Sequence, residues 1–151
     1  MKLDLRPVTD LEEALGHAAA LDSHAEEFQR QFSDEPFPRG ACERFLRRAL
    51  AAPQTCLIVA EQGGKVWGRC LVGPFVDPLL GDALPMVLVL YVDPALRHRG
   101  VATALVREAE RVLVARGEQR LAARAGHNDD ALISMGERWG FVRSWELMIK
   151  E

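Results

Sequence analysis

The stretch MVLVLYVDPALRHRGVATALVREAERVLVARG, residues 86–117, constrains the fold more than any other part of the chain. It opens with the apolar run Met86 to Val92, too short for a core helix and suited to a strand covered on both faces. After a basic corner, Val101, Leu105, Val106, Ala109, Val112 and Leu113 recur at helical spacing, with Arg107, Glu108, Glu110 and Arg111 between them. Gly117 stands where a helix C-terminus wants a glycine. Strand, tight corner, helix is the unit to which the rest must fit, and its strand is expected at the centre of the sheet.

The corner has chemical meaning of its own. The first backbone N–H groups of a helix have no intrahelical acceptor, and together with the helix dipole they favour an anion. Arg97, His98 and Arg99 add positive charge there, and Gly100 lets a large anion approach the backbone closely. Neither GxxxxGK[ST] nor GxGxxG occurs in the stretch, which excludes a nucleoside triphosphatase loop and a dinucleotide fingerprint. The anion must be of another kind.

The remaining elements follow from pattern and punctuation. Lys2 to Arg6 alternates as a half-buried strand ending at Pro7, and Thr9 or Asp10 caps a helix expected to reach about residue 22. Residues 23–40 read as a loop or broken helix, and ACERFLRRALAA as a second helix stopping near Pro53. TCLIVAEQGGKVWGRCLVG is a hairpin turning at Gly63 and Gly64. Residues 74–85 are expected to form a loop, residues 120–125 a further strand, residues 129–139 a fourth helix, and GFVRSWELMIK a last strand. The order is β-αα-βββ-α-β-α-β, an α/β fold with helices on the faces of a mixed sheet. At 151 residues the chain is expected to be a single domain, 1–151.

Arg97-His98-Arg99-Gly100-Val101-Ala102 resembles the acetyl-coenzyme A motif of the GNAT superfamily of N-acetyltransferases: Arg or Gln, two residues, Gly, one residue, Gly or Ala. Val92-Asp93-Pro94 before the corner, and NDDALISMGERWGF with its Asn128 and Gly140-Phe141, are similar to the same family. The resemblance implies a mostly antiparallel mixed sheet with four helices. It also implies acetyl-CoA as the acyl donor. By the same resemblance the strand ending at Val92 and its neighbour splay apart around the pantetheine arm. Leu90, Tyr91 and Val92 would then supply main-chain contacts, and Asn128 a bond to the pantetheine. Arg97, His98, Arg99, Gly100, Val101, Ala102 and Thr103 make up the expected cofactor loop, with residues 98–103 around the pyrophosphate.

The implied reaction is direct attack by a primary amine on the thioester, whose carbonyl a strand N–H polarises. Many relatives carry a Tyr four or five residues before Gly-Phe as the acid. Here Met135 and Gly136 stand there, leaving Tyr91, the chain's one tyrosine, as the candidate. Some relatives place a carboxylate five residues before the Asn, where this chain has Ala123, so His127, Asp77 or Asp82 are the candidate bases. Glu26, Glu27, Asp34 and Glu35 either attract a cationic acceptor or are a solvated face, and Phe28, Phe32 and Phe37 either line its pocket or cover the core. The acceptor is expected to be a small amine or a peptide N-terminus. The alternative to catalysis is a CoA-binding or sensing domain.

A net charge of −3 argues against a coat for nucleic acid, and no apolar run reaches the roughly 20 residues of a membrane span. The cysteines Cys42, Cys56 and Cys70 lack metal-ligand or CxxC spacing, and the first residues lack the apolar run of a signal peptide. A reduced, cytoplasmic protein is expected, and the resemblance makes a homodimer plausible, through the last strand.

Overall fold

The computed structural model describes residues 2–144 and 146–150. Its strands are β1 (Asp4–Pro7), β2 (Cys56–Gln62), β3 (Lys65–Val76), β4 (Ala83–Val92) and β5 (Ala122–Ala123), and its helices α1 (Leu11–Leu15), α2 (Ala18–Gln29), α3 (Ala41–Ala49), α4 (Val101–Ala115) and α5 (Asp130–Arg138). The strands form one mixed sheet in the order β1-β2-β3-β4-β5, antiparallel except for the β4–β5 pair. This is the α/β architecture expected from the sequence, with differences that bear on the site.

The apolar run in β2 shows why the sheet's strands read as continuous. Cys56, Ile58 and Ala60 pack with Cys70, Val72, Leu105 and Ala109 under α4, whereas Leu57 and Val59 pack with Leu21, Leu46 and Leu71 under α1, α2 and α3. The period of two is present but hidden, because both faces are covered. Each fully buried aliphatic side chain contributes about 1.5–3 kcal/mol, so helices on both faces are a large part of what holds the sheet.

Among the described residues five α-helices form where four were expected. Asp10 caps α1, its carboxylate accepting from the Glu13 N–H at 2.9 Å, but the helix ends at Gly16, whose N–H reaches back to the Glu12 and Glu13 carbonyls. His17 then turns inward and α2 starts afresh, running to Gln29 through a segment expected to be loop or broken helix. The loop expected over 74–85 is also shorter, because Pro74 and Pro85 face each other in the β3–β4 register without breaking it.

Two further expectations fail. The sheet's middle strand is β3, while β4 has on its outer side only the two-residue β5. No strand forms over residues 141–144 or 146–150, and Trp145, within the expected last strand, lies outside the described residues. A strand needs a ladder partner, and so short a β5 offers almost none. Val142, Leu147, Met148 and Ile149 are accordingly exposed.

Candidate active site

The corner after β4 is built by its own side chains. The Asp93 N–H donates to the Trp67 carbonyl at 2.8 Å, and its carboxylate accepts from the Ala95 N–H at 2.9 Å. Pro94 opens a single 3₁₀ turn, Pro94–Leu96, that buries Leu96. Arg97 folds back: its Nε donates to the Val92 carbonyl at 3.0 Å and its guanidinium stands 5.7 Å from the Tyr91 ring centre. Its side chain therefore holds the corner to the strand end, its charge kept beside Tyr91 rather than projecting with that of Arg99, which meets no partner among the described residues.

Beyond Arg97 the backbone turns left-handed twice, at His98 (φ 64°) and Gly100 (φ 79°). Gly100 is the N-cap of α4 and supplies no capping side chain, and no acidic residue sits in the first turn. By contrast α1 and α5 are capped by Asp10 and Asp129. None of the backbone N–H groups of residues 98–103 donates to an acceptor among the described residues. A fifteen-residue helix thus presents its positive end uncapped to solvent. A Cβ built on Gly100 meets nothing within 4 Å, so there is room there for a bulky anion.

The strands open where the resemblance expects. β4 and β5 pair only at Met86–Ala122 and Val87–Ala123, after which β4 continues to Val92 alone. Because β5 runs parallel to β4, the chain after Ala123 advances toward the Tyr91 end, carrying His127 and Asn128 with it. Both are exposed. The cap of α5 is Asp129, accepting from the Leu132 N–H at 3.1 Å, so the Asn128 amide has no capping duty. Trp139 at the far end of α5 donates to the Thr103 hydroxyl at 2.9 Å, tying α5 against the start of α4.

On the α2 face of the sheet a polar cluster surrounds Tyr91. Its ring stacks on His24, centroids 3.6 Å apart and planes at 9°. Arg69, opposite Tyr91 in the β3–β4 register, donates through Nε to His17 Nδ1 at 2.9 Å and faces His24 Nε2 with Nη1 at 3.5 Å. Burial, and then the Arg69 charge, hold both imidazoles below their ordinary value of 6.5. Arg124, on the far lip of the opening, lies 5.4 Å over the Phe28 ring.

Residues 18–141 match the acetyltransferase (GNAT) family. The chain belongs to that family. Its fold is similar to that of the aminoglycoside acetyltransferase AAC(6')-Iy solved with a bisubstrate analogue, at 18% identity and TM-score 0.69, covering 100% of this chain and 98% of that one. It is similar also to a ribosomal-protein-alanine N-acetyltransferase from Brucella melitensis biovar Abortus 2308, at 19% identity and TM-score 0.64, with 99% of each chain covered. An aminoglycoside acetyltransferase from an uncultured soil metagenomic sample matches at 22% identity and TM-score 0.67, covering 100% of this chain and 98% of that one.

For this GNAT chain the structure sorts the candidates. Asp77 and Asp82 lie in the β3–β4 loop, at the opposite end of β4 from Tyr91, about 30 Å away at the usual rise per residue. Asp77 is occupied there, accepting from the Leu79 and Leu80 N–H groups. Neither can serve as base. Of the acidic run, Glu26 pairs with Arg30, and together with Asp34 and Glu35 they line a hollow of about 300 Å³. Phe28 packs edge to face with Phe32, which is 55% exposed, and Phe37 is half-buried.

Three residues of the cluster, His17, His24 and Arg69, are absent from the sequence reading. Their signal was available: His17 and His24 are seven apart, two turns along one helical face with the buried Leu21 between. Arg69 is the one charge in the apolar run Val66 to Val76, and a charge in a strand covered on both faces needs a polar partner.

Proposed function

We propose that this protein is an N-acetyltransferase, one domain over 1–151, that moves the acetyl group of acetyl-CoA onto the nitrogen of a primary amine by direct attack. The observation that carries the reading is the uncapped start of α4, with the N–H groups of 98–103 unpaired beside the opening between β4 and β5. A pyrophosphate fits it: His98, Arg99, Gly100, Val101, Ala102 and Thr103 take the phosphates, and Arg97 fixes the corner. Leu90, Tyr91 and Val92 hold the pantetheine through their main chain, and Asn128, free of capping, through its amide. Acetyl-CoA supplies a thioester, an acyl group on a good leaving group.

The chain's residues then manage two protons. As the amine nitrogen bonds to the acyl carbon and the carbon–sulfur bond breaks, the Tyr91 hydroxyl gives its proton to the departing sulfur. His127, exposed on the other lip, takes the amine's proton through water. The Tyr91 hydroxyl bonds to no other described residue, and the stack on His24 fixes its ring. This supports its availability as the acid. The acceptor is a small amine or a peptide N-terminus. Exposed Val142, Leu147, Met148 and Ile149 support a homodimer that covers them, and three free, buried cysteines suit a reducing cytoplasm.

Release of coenzyme A thiol, followed across a panel of amines, tests the reading. Tyr91→Phe should lower kcat by about 100-fold with little change in the KM for acetyl-CoA, and His127→Ala by about 10-fold or more. Acetyl-CoA binding with no turnover on any amine would replace the enzyme with a CoA-sensing domain.

A further inference from the structure

Arg69 occupies a position where an arginine is costly. It lies mid-strand between the buried residues Gly68 and Cys70, and burial holds its pKa below the ordinary arginine value. Among the described residues no carboxylate pairs with it. Its two partners are imidazoles instead.

A guanidinium only donates, through five N–H groups, and remains charged in proteins. His17 Nδ1 and His24 Nε2 must therefore offer lone pairs to it, so both rings are neutral and carry their proton on the other nitrogen. Two of the five donors are met in this way. The second N–H of Nη1 and both of Nη2 meet no acceptor among the described residues, and Nη2 is not sealed from solvent. What remains is a fixed positive charge with its planar donor edge unspent.

The surroundings reinforce the sign. Arg97 stands over the Tyr91 ring and Arg124 over Phe28, and neither pairs with a carboxylate among the described residues. Glu27 is the carboxylate that acts on His24, and it is exposed on α2. Glu13 and Glu61, which act on His17, are both bonded to Arg6. The acceptor side of Tyr91 is thus positive, not negative.

We propose that the acceptor carries a carboxylate close to its amine, as a free amino acid does, and that Arg69, aimed by His17 and His24, binds that carboxylate. The inference rests on the acetyl-transfer reading above for the identity of the amine's partner. Arg69 and Tyr91 are direct cross-strand neighbours, about 5 Å apart at the Cα atoms, so a carboxylate on Arg69 places a nitrogen only a few bonds away beside the strand end. A polyamine without a carboxylate, or a long peptide whose carboxylate is remote, satisfies nothing here. Arg69 is a specificity residue, and the two histidines are positioning residues.

The test is calorimetry of N-acetyl-L-amino acids with small, aliphatic, aromatic and basic side chains against the matching N-acetyl amino acid amides. Each is titrated with and without coenzyme A present, and the parent amino acids and amides are compared in the thiol-release assay. Wild type should bind at least one acid about tenfold or more tighter than its amide, and prefer the parent acid through KM rather than kcat. Arg69→Gln should bring the pair within about twofold while coenzyme A affinity stays unchanged. Should that variant not fold, Arg69→Lys, which keeps the charge but loses the paired N–H edge, should lose about fivefold of the ratio. His17→Asn, which keeps an acceptor for Arg69, should retain most of it.

Acids and amides bound alike by wild type, no binding of either, or a preference surviving Arg69→Gln each overturns the proposal. A wild type that selects acids but neither binds coenzyme A nor acetylates would overturn the acetyl-transfer reading and leave the carboxylate site standing. One that acetylates acids and amides equally would overturn the carboxylate site alone.

Discussion

Arg69 and the two imidazoles that aim it make a titratable joint between β3 and α2. Both histidines are held below 6.5 by burial, so the unfolded chain binds more protons than the folded one as pH falls past that value. Their contribution is present above about pH 6.5 and is lost on acidification toward the lower folded pKa. Glu13 and Glu108, held below 4.5 by Arg6 and Arg111, lose theirs in a separate, more acidic window. Thermal midpoints should therefore begin to fall as the pH drops below about 6.5, before the carboxylate window is reached, and His17→Asn should flatten that limb without moving the more acidic one. A midpoint level across that range would contradict the hydrogen bonding assigned to Arg69. The same residues show the limit of reading at this scale. The Arg97–Ala102 motif is local and stood out in the sequence, whereas Arg69, His17 and His24 meet only because β3 and α2 pack together.

At the scale of elements, strand, hairpin and helix were legible wherever punctuation and period agreed, as in β2 to β3 and in α4. They were not where the deciding partner lay elsewhere. The last strand had an apolar pattern but no edge to pair with, and the first helix ends at Gly16, directly before the buried His17. The prolines of β3 and β4 face each other in register, which no local rule anticipates. Packing of α3 on the sheet depends on Gly73, where a Cβ would stand 2.4 Å from Phe45 Cζ and 2.7 Å from Leu88 Cδ1. Gly73→Ala should cost about 1–3 kcal/mol in denaturant unfolding, by overpacking, with acetyl-CoA affinity unchanged because α4 lies on the other face. Trp139→Phe removes the bond to Thr103 and should weaken acetyl-CoA binding a few-fold while leaving the sheet's stability nearly as it was.

For the whole molecule, the two helical layers seal the three thiols. Burial pushes Cys42 up to about 12 and Cys56 up to about 11, and raises Cys70 as well. The native protein should give almost no reaction with a thiol reagent at about pH 8, and its full complement on denaturation, so that thiol release reports coenzyme A alone. Rapid titration of a cysteine in the native state would mean that one layer opens readily. The central claim concerns the opposite end of the sheet, where β4 parts from β5 and α4 begins without a cap. Gly100→Glu places bulk and negative charge there, into space empty of protein, at a φ of 79° that costs an L residue about 1–2 kcal/mol. The most direct measurement is calorimetry of acetyl-CoA with wild type and Gly100→Glu, with a thermal melt of each. The account predicts saturable binding by wild type, a loss of roughly 100-fold or more in the variant, about 2.7 kcal/mol, and a melt lowered only modestly. Equal affinity in the two proteins, or no binding by wild type, would contradict it.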